Sequence, residues 1–193
     1  NPLRGQNNVQ GACDMGALPN VFPGYQKVID PAAREKFEKA WNVGKLPENN
    51  GMMMPQMMES LADKKIRAFY VFGENLASTE PDIRKVEHEL SSAEFLICQD
   101  IFPTETTRFA HVILPAASWC EDDGTFTNSE RRVNRVRKVK NPPGNAKPNW
   151  WIFKEIARRM GQDWTSNSGP EIWDNEVSAL APALGGIKYD RIE

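Results

Sequence analysis

Three short apolar runs in the middle of the chain constrain its fold more than any other feature. Residues 66–72, 95–98 and 111–114 are rich in β-branched or aromatic side chains, and each run stops at a glycine, a polar pair or a proline. A segment with helical spacing over 80–91 separates the first two runs, and a polar turn precedes the third. Short apolar strands with such connections are typical of a mainly parallel sheet flanked by helices. We therefore predict an α/β fold that is Rossmann-like but lacks a Gly-x-Gly-x-x-Gly motif.

Four further segments carry apolar residues at helical spacing, with proline or glycine near their ends. Residues 17–30, by contrast, predict a loop. Residues 120–147 are rich in Asp, Asn, Arg and Gly, and an irregular stretch of this length inside a domain indicates a binding segment. Within it, Val133, Val136 and Val139 are compatible with one small strand or hairpin. The further predicted helices cover residues 32–42, 55–63, 150–160 and 170–180.

The first residues of the chain are unusually polar. From Arg4 to Met15 there are five amide or acid side chains and two glycines, with few apolar residues. Such a segment is poor material for the interior of a helix or strand, and it predicts a polar loop. Its donors and acceptors could face a ligand, with glycine where the backbone must come close. The alternative is a solvated loop at a terminus.

Composition excludes several classes of protein. The chain has 193 residues, of which 40% are hydrophobic and 26% charged, as is usual for a globular protein. The net charge of −2 provides no basic field for nucleic acid, and no apolar run approaches the roughly 20 residues that span a bilayer. The three cysteines are far apart and include no Cys-x-x-Cys pair, so they predict neither a disulfide framework nor a zinc or iron–sulfur site.

Ligands of parallel α/β sheets bind outside the carboxyl ends of the strands. That rule selects Gly73 to Asn75, Gln99 with Asp100, and Pro115 with Ala116. Gly73 allows a ligand to approach the backbone. Asn75 and Thr79 can bond sugar or phosphate oxygens, and Asp100 can bind a guanine edge or a ribose hydroxyl. The alternative is that these are ordinary loop residues.

Several other charged residues favour a structural interpretation over a chemical one. His111, next to an apolar strand, is expected to be a structural histidine, and His88 is expected to be solvated. Three adjacent acids, residues 121–123, lack the alternating ligand spacing of a calcium loop and favour a solvated turn. The basic run over 131–140 could neutralise dinucleotide phosphates or simply cover the surface.

Two motifs resemble a known enzyme family. The first, RGQNNVQGACDMGALPN over residues 4–20, is followed by Pro-Gly-Tyr at 23–25. It closely resembles the alpha subunits of molybdenum- or tungsten-dependent formate dehydrogenases. The second comprises HVILP at 111–115, Ser-Trp at 118–119, Glu121, GTFTN at 124–128 and ERR at 130–132. This second motif is shared across the wider molybdopterin oxidoreductase family, and together the two resemblances cover almost the whole chain.

The resemblance implies an internal segment of a larger multidomain enzyme. Residues 1–30 would be an active-site and pterin loop segment, and residues 31–193 an α/β domain that binds molybdopterin guanine dinucleotide. The family's cofactor is bis-molybdopterin guanine dinucleotide with Mo or W, and its 4Fe–4S cluster is bound outside this segment. The metal-ligating cysteine or selenocysteine also lies outside, so no metal ligand is predicted here.

The resemblance also assigns individual residues. Arg4 matches the family's catalytic arginine, whose guanidinium fork holds the one-carbon carboxylate. The neighbouring amides, including Asn8, would hold this arginine or the pterin. Asn75 and Asn149 replace aspartates of the family, and Ala116 replaces a serine, so Ala116 is not assigned to the site. The predicted cofactor-binding residues are Gln6, Asn7, Gly73, Asn75, Thr79, Gln99, Asp100 and Asn149.

The expected function is therefore the oxidation of formate to carbon dioxide by the complete cytoplasmic enzyme, with the isolated segment inactive. Its expected partners are formate and carbon dioxide, the remainder of the alpha subunit and an electron-acceptor subunit. Neither nucleic acid nor a membrane span is expected. The alternatives are another molybdopterin oxidoreductase, such as a nitrate reductase, and a non-catalytic homologous scaffold subunit.

Overall fold

The structure is a computed structural model that describes residues 6–192. In chain order, its first elements are α1 (Val9–Asp14), β1 (Val21–Phe22), β2 (Gln26–Lys27), α2 (Pro31–Trp41), α3 (Met54–Ala62), β3 (Ala68–Phe72), α4 (Leu76–Thr79), α5 (Ile83–Ser91) and β4 (Phe95–Asp100). They are followed by β5 (Val112–Pro115), β6 (Gly124–Thr127), β7 (Val133–Val136), α6 (Asn149–Arg159) and α7 (Gly169–Ile172). Short 3₁₀ turns cover Pro23–Tyr25, Thr106–Phe109 and Trp119–Glu121, and a π-helical turn covers Trp173–Val177.

The elements form two compact units. One comprises residues up to 51, residues 122–140 and residues from 163 onward, and the other comprises residues 52–121 and 141–162. The predicted segments 1–30 and 31–193 are defined by the ligands that they would bind. Their bounds differ from those of the two compact units, and the division into these segments stays a prediction. Among residues 6–192, no helix combines the length and the apolar character needed to cross a bilayer.

The second unit contains the predicted parallel sheet. Its strand order is β3-β4-β5, and both pairs of neighbours run parallel, with Ala68 opposite Phe95 and Ile97 opposite Val112. The predicted α/β fold class is confirmed. The predicted helices over 55–63 and 150–160 are also confirmed, as α3 and α6, within one residue at each end.

One face of this sheet carries the core of the second unit. Val71 and Cys98 point there from neighbouring strands, and the buried Leu96 lies beside them. Buried residues of α3 and α5, including Leu61 and Leu90, complete the cluster. Met58 of α3 is buried in that core, where its flexible side chain can fill an irregular gap.

The helix predicted over 80–91 is shorter than expected. Asp82 has φ 60° and ψ 73°, which is left-handed backbone, so α5 begins only at Ile83. Oδ1 of Asp82 accepts a hydrogen bond from N of Lys85 and caps the helix. The separate turn α4 precedes it. Pro81 therefore lies in the connection rather than in the first turn of a helix.

The prediction of a loop over 17–30 is wrong in part. Val21–Phe22 and Gln26–Lys27 pair as the antiparallel strands β1 and β2 around the 3₁₀ turn Pro23–Tyr25. The chain then enters α2, which confirms the helix predicted over 32–42; Asp30 caps it by accepting from N of Ala32. Phe22 and Phe37 pack with ring centroids 4.6 Å apart in the small core of this unit.

The first motif contains a helix where a loop was expected. The polar residues of α1 are hydrogen-bonded to each other and to Tyr25, so their polarity does not prevent burial. Nε2 of Gln10 donates to Oδ1 of Asp14 over 2.7 Å and to the Tyr25 hydroxyl over 3.2 Å. Gln10 and Asp14 are both buried. The hydrogen-bond partner, rather than the apolar pattern, explains this helix.

The later part of the first unit also departs from the prediction. The stretch over 120–147 contains the antiparallel pair β6–β7, as the valine pattern allowed, but Val139 lies outside it and is 79% exposed. The helix expected over 170–180 is interrupted: α7 ends at Ile172 and continues as a π-helical turn. There Ser178 N donates to Trp173 O, and the buried Trp173 indole donates to Ile187 O over 2.9 Å.

Candidate functional site

The carboxyl ends of the parallel strands bring several predicted residues together. Gly73, directly after β3, donates from its N to the carbonyl O of Gln99 over 2.9 Å. On the other side, N of Ala116 donates to O of Asp100, also over 2.9 Å. Gly73 has φ 63°, and a Cβ built there would meet no atom within 4 Å. The backbone at Gly73 is therefore left-handed and faces open space, as close approach of a ligand requires.

The buried side chain of Gln99 holds a neighbouring residue of this edge in place through a hydrogen bond. Its side chain is fully buried, Oε1 accepts from the Tyr70 hydroxyl, and Nε2 donates to Oδ1 of Asn149 over 2.8 Å. Burial raises the pKa of Tyr70, which keeps the phenol protonated as a donor. Tyr70 in turn stacks on Phe153 of α6, with ring centroids 5.8 Å apart. Gln99 thus orients Asn149 rather than facing solvent itself.

Asp100 and Asn149 retain unused hydrogen-bonding atoms at the edge. Oδ1 of Asp100 accepts from N of Ile101 over 2.6 Å, while Oδ2 has no hydrogen-bond partner within the described chain. Similarly, the structure gives no partner within residues 6–192 to Nδ2 of the exposed Asn149. A carboxylate oxygen and an amide N–H group, an acceptor and a donor, are therefore available to a ligand.

Asn75 and Thr79 are engaged in hydrogen bonds within the protein, Asn75 with a distant turn and Thr79 with its own loop. Oδ1 of Asn75 accepts from N and Oγ1 of Thr106 over 3.2 and 2.9 Å, and Nδ2 donates to Oε2 of Glu105 over 2.6 Å. The last bond lowers the pKa of Glu105. Thr79 Oγ1 lies 2.8 Å from Oε1 of Glu74. Glu105 and Thr106 were missed at the sequence level because nothing local marks them as partners of a residue about thirty positions earlier.

The acids after β5 do not form a solvated turn throughout. Glu121 is only 4% exposed, and its Oε2 accepts from N of Ser118 over 2.8 Å, so the expectation of a solvated Glu121 is wrong. His111 is structural as expected, since its Nδ1 accepts from N of Leu96, and His88 is exposed. In the described part of the chain, no three His, Cys, Asp or Glu residues are placed to hold a metal ion.

The amides of the first motif lie in the first unit. The predicted catalytic residue, Arg4, is outside the described residues. Gln6 and Asn7 are exposed, and Asn8 is attached to β6, where its Oδ1 accepts from N of Thr127 over 3.0 Å. One residue of the basic run over 131–140 also packs within this unit. Arg131 lies over the Tyr25 ring at 5.4 Å.

The sequence of this chain is similar to those of known proteins. A family model described as "Molybdopterin oxidoreductase" matches residues 2–159, which is most of the chain. The chain belongs to the molybdopterin oxidoreductase family. Membership implies a molybdopterin cofactor.

Within the molybdopterin oxidoreductase family, the chain is similar to formate dehydrogenase subunits. It is 50% identical over 195 residues to the F420-dependent formate dehydrogenase subunit alpha of Methanocaldococcus jannaschii, covering 100% of this chain and 28% of that protein. It is 45% identical over 192 residues to formate dehydrogenase H of Escherichia coli, covering 100% of this chain and 27% of that protein. The chain thus spans little more than a quarter of the length of these relatives.

A solved structure of similar fold is acetylene hydratase from Pelobacter acetylenicus. The TM-score is 0.58 at 21% sequence identity, with 82% of this chain and 22% of that chain covered. At this identity the likeness concerns the fold alone. It agrees with the parallel α/β arrangement of the second unit.

Proposed function

We propose that the parent protein of this chain oxidises formate to carbon dioxide, releasing a proton and two electrons. One observation carries the proposal: the whole chain, and not only the part shared across the family, is 45–50% identical to formate dehydrogenase subunits. The alternatives are a nitrate reductase-like enzyme and a non-catalytic scaffold. Dye-linked formate oxidation and nitrate reduction by the purified full-length parent separate the three. Formate oxidation supports the proposal, and nitrate reduction or no redox activity contradicts it.

The carboxyl-end edge of the second unit fits the guanosine end of a molybdopterin guanine dinucleotide. The free Oδ2 of Asp100 can accept from one of the two adjacent N–H groups of a guanine edge, and Oδ1 has a second lone pair for the other. Asn149 offers N–H donors to guanine or ribose, and its orientation is set by Gln99. The open space above Gly73 leaves room for the ligand to reach the backbone.

Asn75 and Thr79 belong to the same proposed site in a supporting capacity. Asn75 holds the loop after β3 to the turn at Thr106. One Nδ2 hydrogen of Asn75 is left after its bond to Glu105, and Thr79 has a hydroxyl at the exposed surface. These residues would bond sugar or phosphate oxygens while keeping the loop in place.

The proposed chemistry requires a fixed cation for the substrate. The guanidinium of Arg4 would donate two parallel N–H bonds to the carboxylate of formate and keep its charge at every working pH. Gln6 and Asn7, which are exposed in the structure, would bind the pterin or support Arg4 through their amides. When bound, a molybdenum or tungsten bis-molybdopterin guanine dinucleotide supplies the site that accepts the two electrons.

The guanine site can be tested separately from turnover. In the full-length parent, Asp100→Asn should reduce the guanine nucleotide released on denaturation, because one acceptor becomes a donor facing guanine N–H groups. Asp63→Asn is the matched control, since Asp63 is an exposed acid of the same unit that pairs with Lys65. Equal nucleotide content in wild type and both variants would contradict the assignment of Asp100.

The remaining parts of the proposal concern the complete protein. It would contain a 4Fe–4S cluster outside this segment, pass electrons to an acceptor subunit and act in the cytoplasm. The isolated segment should be inactive, since no predicted metal ligand lies within it. Formate-dependent dye reduction by the isolated segment would contradict that expectation.

A further inference from the structure

The described part of the first unit contains a cavity, and none of the predicted cofactor-binding residues lines it. Its volume is about 340 Å³, and its walls come from α1, strand β6 and segments from residue 169 onward. All of these segments belong to the first unit. Since a buried apolar cavity of about 150 Å³ accepts benzene, this one has room for a molecule with two fused rings.

Most of the cavity wall is apolar. Trp173 is buried, and its indole nitrogen donates to O of Ile187 over 2.9 Å, which fixes the orientation of the ring. Met15 lines the cavity from the end of α1, and Ile172 and Val177 add aliphatic surface. An indole ring and a thioether both pack favourably against an aromatic ring. The wall therefore fits an apolar body that contains an aromatic ring.

One polar side chain of the wall has an unused hydroxyl. Thr127 of β6 is only 7% exposed, and its N donates to Oδ1 of Asn8 over 3.0 Å. Its Oγ1 has no hydrogen-bond partner among residues 6–192, although the atom keeps accessible surface in a residue that lines the cavity. Because a buried hydroxyl without a partner costs free energy, an acceptor oxygen on a ligand would satisfy it.

The remaining polar groups favour a neutral ligand. Tyr189 is buried, and its hydroxyl is hydrogen-bonded to Thr125. Burial raises the pKa of Tyr189, so the phenol stays uncharged. Arg135 lies over the Tyr189 ring at 5.6 Å, but no charged side chain is among the described residues that line the cavity. A charged ligand would therefore lose its hydration without gaining a counter-ion.

We propose that this cavity binds a compact neutral molecule with a partly aromatic body and one acceptor oxygen, which the hydroxyl of Thr127 recognises. The body packs against Trp173 and Met15, and the oxygen accepts from Oγ1 of Thr127. The apolar walls supply most of the affinity, and the single hydrogen bond supplies the orientation. The proposal concerns binding alone, so it stands or falls independently of formate oxidation.

Two probes that differ by one carbonyl group test this recognition in the full-length parent. Both have two fused rings: α-tetralone carries the carbonyl, and tetralin lacks it. Calorimetric titration should show saturable binding of each probe at one site per chain. No saturable binding of α-tetralone by the wild type would overturn the proposal, as it would if another part of the parent filled the cavity.

Thr127→Val tests the hydroxyl, because valine keeps the side-chain volume. The variant should weaken α-tetralone binding about 5-fold, as expected for one net hydrogen bond, and should change tetralin binding by less than about 2-fold. Thr165→Val, at an exposed threonine of the same unit, should change neither. Equal losses for the two probes, or no loss for α-tetralone, would contradict recognition by Thr127.

Val177→Phe tests the location, because the larger ring fills part of the cavity. It should remove the saturable binding of both probes, whereas Val139→Phe, at a 79% exposed valine of the same unit, should not. A Tm close to that of the wild type verifies that Val177→Phe is folded, and Ile172→Phe fills the same cavity independently. Wild-type binding of α-tetralone in either cavity-filling variant would mean that the probe binds elsewhere, which would overturn the proposal.

Discussion

Nε2 of Gln99 donates to Oδ1 of Asn149 over 2.8 Å, and this bond joins the carboxyl end of β4 to the first residue of α6. Gln99 is fully buried, so the bond lies beneath the edge proposed to bind guanosine. It fixes the amide of Asn149 with its N–H donors available. The geometry of the proposed ligand site therefore depends on Gln99, whose side chain does not face the solvent.

Gln99→Leu should destabilise this part of the second unit. The substitution leaves the half-buried Tyr70 hydroxyl and Oδ1 of the exposed Asn149 without their partner, and the loss of an intramolecular hydrogen bond costs about 0.5–1.5 kcal/mol. Native-state hydrogen exchange of β4 amides in the full-length parent measures the opening free energy. Gln162→Leu, at an exposed glutamine of the same unit, should change it by less than about 0.5 kcal/mol. Equal opening free energies in the two variants would contradict the supporting role of Gln99.

Gly73→Ala should separate backbone strain from ligand approach. Gly73 and Gly161 both have positive φ, 63° and 86°, and neither has an atom within 4 Å of a built Cβ. Alanine at either position should therefore cost about 1 kcal/mol in opening free energy through left-handed strain alone. Only Gly73→Ala should also reduce the guanine nucleotide bound by the full-length parent. A similar nucleotide loss in both variants would show that strain, not contact, is responsible.

The parallel sheet could be predicted from sequence, but its supporting contacts could not. The runs that became β3, β4 and β5 are short continuous apolar stretches, as is typical of parallel strands, and that signal is local. In contrast, the α1 helix depends on Gln10 meeting Asp14 and the distant Tyr25. Polar composition indicates a loop unless the partners of those polar groups are known.

The candidate site, too, could be predicted from the sequence only in part. Gly73 follows β3, and Gln99 and Asp100 are the last residues of β4, so their shared edge could be predicted from topology. That Gln99 points into the protein and that Thr106 binds Asn75 depend on side-chain packing between segments far apart in the chain. Strand order fixes which residues are neighbours, but it does not determine which of them face a ligand.

Alkaline pH should destabilise the second unit through Cys98. Burial, with a smaller contribution from the Asp100 charge, raises the pKa of this thiol from 9.0 to about 11. Between these values the unfolded chain releases the proton while the folded chain retains it, so stability is lost as pH rises through this window. The slope from one such group is at most about 1.4 kcal/mol per pH unit.

Thermal unfolding of the full-length parent between pH 9 and 11 measures this effect. Wild type should lose Tm more steeply with pH than Cys98→Ala, because other groups titrating in that range are common to both proteins. Peptide mapping should also find Cys98 alkylation rising only toward the upper end of the window. Parallel Tm curves for wild type and Cys98→Ala would contradict the raised pKa.

The most direct measurement is formate oxidation by the full-length parent, wild type against Arg4→Lys, with metal and guanine nucleotide content determined in both. Lysine keeps the charge but cannot form two parallel bonds to a carboxylate. We predict formate turnover by the wild type and a loss of kcat/KM of about 100-fold or more in Arg4→Lys at unchanged cofactor content. A cofactor-loaded wild type that does not oxidise formate, or an Arg4→Lys variant as active as wild type, would contradict the account.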